Sequence, residues 1–242
     1  MQQVQAGRAS QPIPSQAICP GREFAVFLRS CVCTDRSHIA MSTVKGALIM
    51  TKPFGALDPS PHLLLGPGPS QISPRVLRAC ASPPMGYLDP EYVDLMDETQ
   101  ALLRFAFETD NEWTMCVPGT GMAGMESAMV SVLEPGDDVM VCVHGLFGER
   151  MVEVARRCGA KVTRVDAPWG CAVQPDQVAD ALKSVKPKVV AIVHAETSTG
   201  VLQPLEEISK IVHEAGPLLL VDCVTSLGGV ADKMDQRGVD IA

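Results

Sequence analysis

A single carboxylate, Asp222, closes the apolar run of "LLLVDCVTSLGG" (218–229). A buried acid without a partner is costly, so it either neutralises or meets a cation; the alternative is a helix N-cap. Upstream, "PGTGMAGMESA" (118–128) sets Gly119, Gly121 and Gly124 before a helix, where free backbone N–H groups and the positive helix end suit a phosphate. "HGLFGER" places Phe147 between glycines, where its ring either stacks on a planar ligand or folds back onto the core. "KVVAIVHAETSTG" ends in a polar cluster, His194, Glu196, Thr197, Ser198 and Thr199, suited to orienting hydrogen bonds.

One ligand answers to these positions together. A pyridinium nitrogen needs a carboxylate to stay protonated, a planar ring needs an aromatic lid, and a phosphate needs a helix N-terminus: the combination describes pyridoxal 5'-phosphate. The glycines also fit G-x-G-x-x-G, but a dinucleotide site needs an acid about 20 residues on. The strand "VMVCV" ends instead in His144 and Gly145. Glycines that merely allow close helix packing are the remaining alternative. His194-x-Glu196 lacks the P-C-x-x-C that would complete a zinc deaminase set, so no metal is expected.

These residues must be held at strand ends. The pattern predicts helices over 74–80, 90–107, 122–133, 148–158, 175–185 and 204–214. Strands are expected at 113–117, 139–143, 161–165, 189–194 and 218–221, with a helical turn and a final strand after Lys233. In helix 90–107, Tyr92, Leu95, Met96, Leu102, Leu103 and Phe107 fall near one face. Short apolar strands alternating with helices imply an α/β fold: a mostly parallel sheet with helices on both faces, its ligand at the carboxyl edge.

The charge of −8 argues against nucleic acid or an anionic membrane as partner, and no apolar run is long enough to span a bilayer. Residues 1–50 hold five basic residues against two acidic ones, a balance of +3. That reads as an organelle transit peptide, a disordered extension, or a start placed before the true one at Met41. Mitochondrion, plastid and peroxisome stay open beside the cytoplasm. Nine cysteines without a CxxC pair fit a reducing compartment. The expected domains are an extension, 1–60, and one α/β domain, 61–242, in which the Pro/Gly-rich "LLLGPGPS" is an ordered arm.

The blocks "LLLGPGPS", "GTGMAGMESAMVSVLEPGD", "HGLFGERM", "HAETSTGVLQPL" and "VDCVTSLGG" with "MDQRGVDIA" resemble the class V aminotransferases, specifically the alanine-glyoxylate and serine-pyruvate type. The resemblance implies the large domain of a fold-type I pyridoxal phosphate enzyme, working as a homodimer on small amino acids and 2-oxo acids. It implies that Thr120, Gly121 and Met122 line the phosphate end, Phe147 stacks on the ring, and Thr197 bonds its hydroxyl side. Asp222 would hold the pyridine nitrogen as the catalytic acid, Val224 would pack under the ring, and Gly68 and Pro69 of the 66–69 arm would border the substrate. Pro118, Met122 and Phe147 depart from residues common in the family.

The family's Schiff-base lysine, carboxylate-binding arginine and small C-terminal domain would lie past Ala242, so the chain is expected to be a fragment, inactive alone. Lys233, the one lysine after Asp222, is expected in solvent. The alternatives are another class V enzyme, such as a phosphonate transaminase or cysteine desulfurase, and a non-catalytic binding fragment.

Overall fold

The computed structural model describes residues 59–242. The expectation of an extension over 1–60 falls almost wholly outside the described residues, and the account below concerns the unit His62–Ala242. Local signals set the first helices. α1 (Pro74–Cys80) starts behind Ser73, whose side chain accepts from the Arg75 N–H at 3.3 Å. α2 (Pro90–Phe107) starts at a proline whose missing N–H costs nothing there, and ends where Glu108 turns left-handed at φ 51°. Tyr92, Met96, Leu103 and Phe107 of α2 are half-buried, but Leu95 and Leu102, placed with them by sequence, are exposed. The helical stripe is narrower than the apolar pattern.

The strand expected at 113–117 does not form. Trp113, Met115 and Val117 are exposed and no described strand pairs with them, so this apolar run has nothing to complete its hydrogen bonds. The chain then enters α3 (Gly121–Val132), β1 (Asp138–Val143), α4 (Leu146–Arg157), β2 (Lys161–Asp166), α5 (Pro175–Ser184) and β3 (Val189–Val193). A small antiparallel pair follows, β4 (Ala195–Glu196) with β5 (Val201–Leu202), then α6 (Glu206–Ala215), β6 (Leu218–Asp222) and a single turn, α7 (Met234–Arg237). Instead of a further full strand, Ile241 forms one parallel bridge to Leu220.

The four long strands make a parallel sheet in the order β2-β1-β3-β6. Alternating residues split its core. Val139, Val141, Val189, Ala191 and Val193 pack with Met125, Met129, Met151 and Val152 of α3 and α4. Met140, Cys142, Val190, Ile192, Leu219 and Val221 pack with Val178, Ile208 and Val212 of α5 and α6. The sheet is therefore covered on both faces, as near-continuous apolar strands require.

From β1 the chain steps to β2 and then back across β1 to β3, and right-handed crossovers put the connecting helices α4 and α5 on opposite faces. The strand order thus reverses at β1/β3, and a crevice opens at the carboxyl ends there. No described helix is long and apolar enough to cross a membrane.

Candidate active site

A cavity of about 180 Å³ occupies this crevice. It is lined by Thr120, Gly121 and Met122 at the start of α3, Phe147 in the first turn of α4, Val193, Ala195 and Thr197 after β3, and Asp222, Val224 and Thr225 after β6. All seven residues expected to meet one ligand border it. Val193, Ala195 and Thr225 were not foreseen from sequence; the first two follow from the strand-end rule applied one residue either side of His194.

At the α3 end, the Thr120 side chain accepts from the Ala123 N–H at 3.3 Å, and the Thr120 carbonyl accepts from Ala123 and Gly124. The Gly121 and Met122 N–H groups have no partner among the described residues, so two donors stand at the positive end of a twelve-residue helix beside the cavity. Gly121 is required by crowding: a Cβ there would lie 2.7 Å from Cγ2 of Val224. Gly119 is similarly constrained, by Ala123 at 2.8 Å, whereas Gly124 has free space.

Phe147 was expected in a loop; it is the second residue of α4, half-buried. The ring packs against the core, as one of the two sequence readings had it, and also borders the cavity. The helix start is capped from a distance. Gly145 at the N-cap has no side chain, and the cap comes from Glu196 and Ser198: Leu146 N–H donates to Ser198 Oγ at 2.9 Å and Phe147 N–H to Glu196 Oε2 at 3.1 Å. A bidentate pair, Arg164 to Glu149 at 2.6 and 2.9 Å, fastens the same turn to β2.

At the opposite side Asp222 is largely withdrawn from solvent. Its Oδ1 accepts from the Val224 N–H at 3.0 Å, a tight turn in place of the suggested helix cap. Oδ2 has no partner among the described residues. Burial raises its carboxyl above the ordinary value of 3.8, the Val224 N–H pulls it back in part, and the nearby Glu196 charge adds the smallest push upward. Among the described residues, no lysine or arginine lines the cavity. The Thr197 and Thr225 hydroxyls bond to each other at its wall. Cys223 next door is buried and its thiol is pushed up to about 12, so it is no nucleophile near neutral pH.

Several expected residues lie elsewhere. Gly68 and Pro69 are exposed and do not line the cavity. His194, read as part of the strand-end polar cluster, is buried away from it: Nδ1 meets Asp232 at 2.9 Å and Nε2 meets Arg237 at 3.3 Å. Thr199 donates to the His144 carbonyl. Lys233 is exposed and not at the cavity.

The fold and the cavity define a family. The profile described as Aminotransferase class-V matches residues 63–242, and the chain belongs to that family. It is 40% identical over 179 residues to the (S)-ureidoglycine–glyoxylate transaminase of Bacillus subtilis (strain 168), covering 74% of this chain and 43% of that protein. It is 42% identical over 180 residues to the alanine–glyoxylate aminotransferase of Rattus norvegicus, covering 74% and 44%. The crystal structure of an alanine–glyoxylate aminotransferase from Nostoc sp. superposes with a TM-score of 0.76 at 47% identity, covering 78% of this chain and 50% of that one. The chain thus spans about half the length of the relatives it matches, or slightly less.

Proposed function

We propose that this protein is a pyridoxal phosphate-dependent transaminase that moves an amino group from a small amino acid, alanine or serine, to a 2-oxo acid, glyoxylate or pyruvate. One observation carries the reading: among the described residues, one cavity joins two free N–H groups at a helix N-terminus, an aromatic ring, and a half-buried carboxylate with no cation beside it. Those groups fit the cofactor's phosphate, ring and pyridine nitrogen in turn. The ureidoglycine relative shares the glyoxylate acceptor but uses another donor, which supports glyoxylate more strongly than any one amino acid.

In this reading Gly121 and Met122 bind the phosphate through their N–H groups, and Thr120 orders that turn. Phe147 covers one side of the ring and Val224 borders the other, while Thr197 donates to or accepts from the ring hydroxyl. Asp222 would hold a proton at the pyridine nitrogen, and the neighbouring Glu196 charge favours a positive charge there. When bound, the cofactor supplies the carbonyl that takes up the amino group and a ring that accepts the electron pair from the substrate's α-carbon. Thr225 positions the Thr197 hydroxyl.

The test, made on the full-length protein that carries this sequence, is an assay of glycine formed from glyoxylate with alanine, serine or ureidoglycine as donor, the cofactor being added. Glycine from alanine or serine is expected; turnover with ureidoglycine alone would replace the donor, and no turnover with any would sink the proposal. We place its site of action in an organelle, on the basic N-terminus; microscopy of the tagged protein, with cytoplasmic signal as the contrary result, decides that.

A further inference from the structure

Glu196 is a carboxylate only 1% exposed, on a two-residue strand, and among the described residues it has no cationic partner. Its charge is met entirely by dipoles. Oε2 accepts from the Phe147 N–H at 3.1 Å and the Gly148 N–H at 3.3 Å; Oε1 accepts from the Ser198 N–H at 3.2 Å and hydroxyl at 2.6 Å. The same Ser198 oxygen accepts from the Leu146 N–H. The first turn of α4 is therefore fixed by residues about 50 positions further along the chain, at the helix end where a negative charge is favoured.

Space has been cleared for this contact. A Cβ on Gly145 would fall 2.2 Å from Glu196 Cγ, 2.4 Å from Cδ and 2.7 Å from Ser198 Oγ.

We infer that Glu196 is a positioning residue of the cavity: it pins the backbone of Phe147, and so the ring, while its fixed negative charge beside Asp222 makes the cavity selective for a ligand bearing a positive charge. Two facts besides the hydrogen bonds favour this. Among the described residues the cavity lining holds no lysine or arginine, so Asp222 meets no protein cation there. And the Glu196 charge reaches Asp222, adding a small upward push on its carboxyl to the larger effect of burial; the neighbouring Cys223 thiol is raised in part by Asp222, and the backbone N–H of His194 donates to the Asp222 carbonyl. Only the naming of that cationic ligand as pyridoxal phosphate rests on the proposed function.

Glu196→Gln keeps the shape and removes the charge. In the ligand-free protein, amide hydrogen exchange at Phe147 and Gly148 should speed up roughly five- to tenfold, since bonds to a charged acceptor are the stronger ones, while Val190 in the sheet centre stays unchanged. The Asp222 carboxyl, followed by carbon NMR, should titrate at lower pH in the variant, which a purely structural role would not produce. Ser198→Ala should speed exchange at Leu146 and leave the Asp222 midpoint where it was. If Glu196→Gln does not fold, the wild type still decides, because Phe147 and Gly148 amides that exchange as freely as an uncapped helix end would overturn the inference. So would an unmoved Asp222 midpoint in a folded variant. Pyridoxal phosphate titrated by absorbance should bind the variant roughly fivefold more weakly or worse than wild type. Wild type that fails to bind defeats the proposed function while leaving the exchange and titration results to judge Glu196; equal binding by both proteins overturns the charge part of the inference.

Discussion

Asp222→Asn removes a charge from the cavity and almost nothing of its shape. The Asn Oδ1 can still accept the Val224 N–H that Asp222 Oδ1 accepts at 3.0 Å, so the turn after β6 survives. Two effects of opposite sign follow. Without ligand, burial and, less strongly, Glu196 disfavour the ionised form of wild-type Asp222. A raised carboxyl gives its stability below the unfolded value of 3.8 and loses it as pH rises through the folded value, so near neutral pH the charge is a cost. The ligand-free variant should melt at or above the wild-type temperature near pH 7, with the gap closing below pH 3.8. With pyridoxal phosphate the order inverts. A hydrogen bond to a charged partner contributes about 1.5–3 kcal/mol, so affinity should fall about 10- to 150-fold. Calorimetric melting and an absorbance titration on the same two proteins read both numbers. A variant that melts lower without ligand, or binds as tightly, would refute the reasoning.

Gly145→Ala forces a Cβ into the buried Glu196 carboxylate, and such overpacking costs about 1–3 kcal/mol, read as a drop in the urea midpoint; an unchanged midpoint would mean that the α4 cap is loose. His144, whose ring nitrogens have no partner among the described residues, and His194 are both pushed below 6.5, chiefly by burial. Their depressed values mean the unfolded chain binds protons the folded one refuses, so stability is full above 6.5 and falls as pH drops below it. The urea midpoint should be lower at about pH 5.5 than at about pH 7.5, and equal midpoints would show these rings hydrated. Lys233→Ala should leave pyridoxal phosphate affinity within about twofold, as expected of an exposed residue outside the cavity; a large loss by the same absorbance titration would bring Lys233 into the site.

Where a helix carried its own punctuation, its position was readable. Pro74, Pro90 and Pro175 mark the starts of α1, α2 and α5 to the residue. α3 and α4 begin earlier than periodicity placed them, one because Thr120 caps it and the other because its cap comes from Glu196 and Ser198. A cap supplied from so far along the chain leaves no local trace. β4 and β5 are too short for alternation to show. The run 113–117 looked like a strand because composition reports burial potential, whereas strand formation also needs a pairing partner. The cavity was more legible than the fold details, since the rule that ligands sit at carboxyl strand ends selects positions without needing contacts. It failed at His194, the residue directly after β3, which turns away to Asp232 and Arg237 while Val193 and Ala195 on either side line the cavity.

The central claim is that one cavity holds pyridoxal phosphate between α3 and Asp222, and a crystal structure of the protein grown with the cofactor tests it most directly. The expected map shows the phosphate within hydrogen-bonding distance of the Gly121 and Met122 N–H groups, the ring against Phe147, and the pyridine nitrogen at Asp222. Cofactor bound elsewhere, or bound with its phosphate away from α3 and its nitrogen away from Asp222, would contradict it.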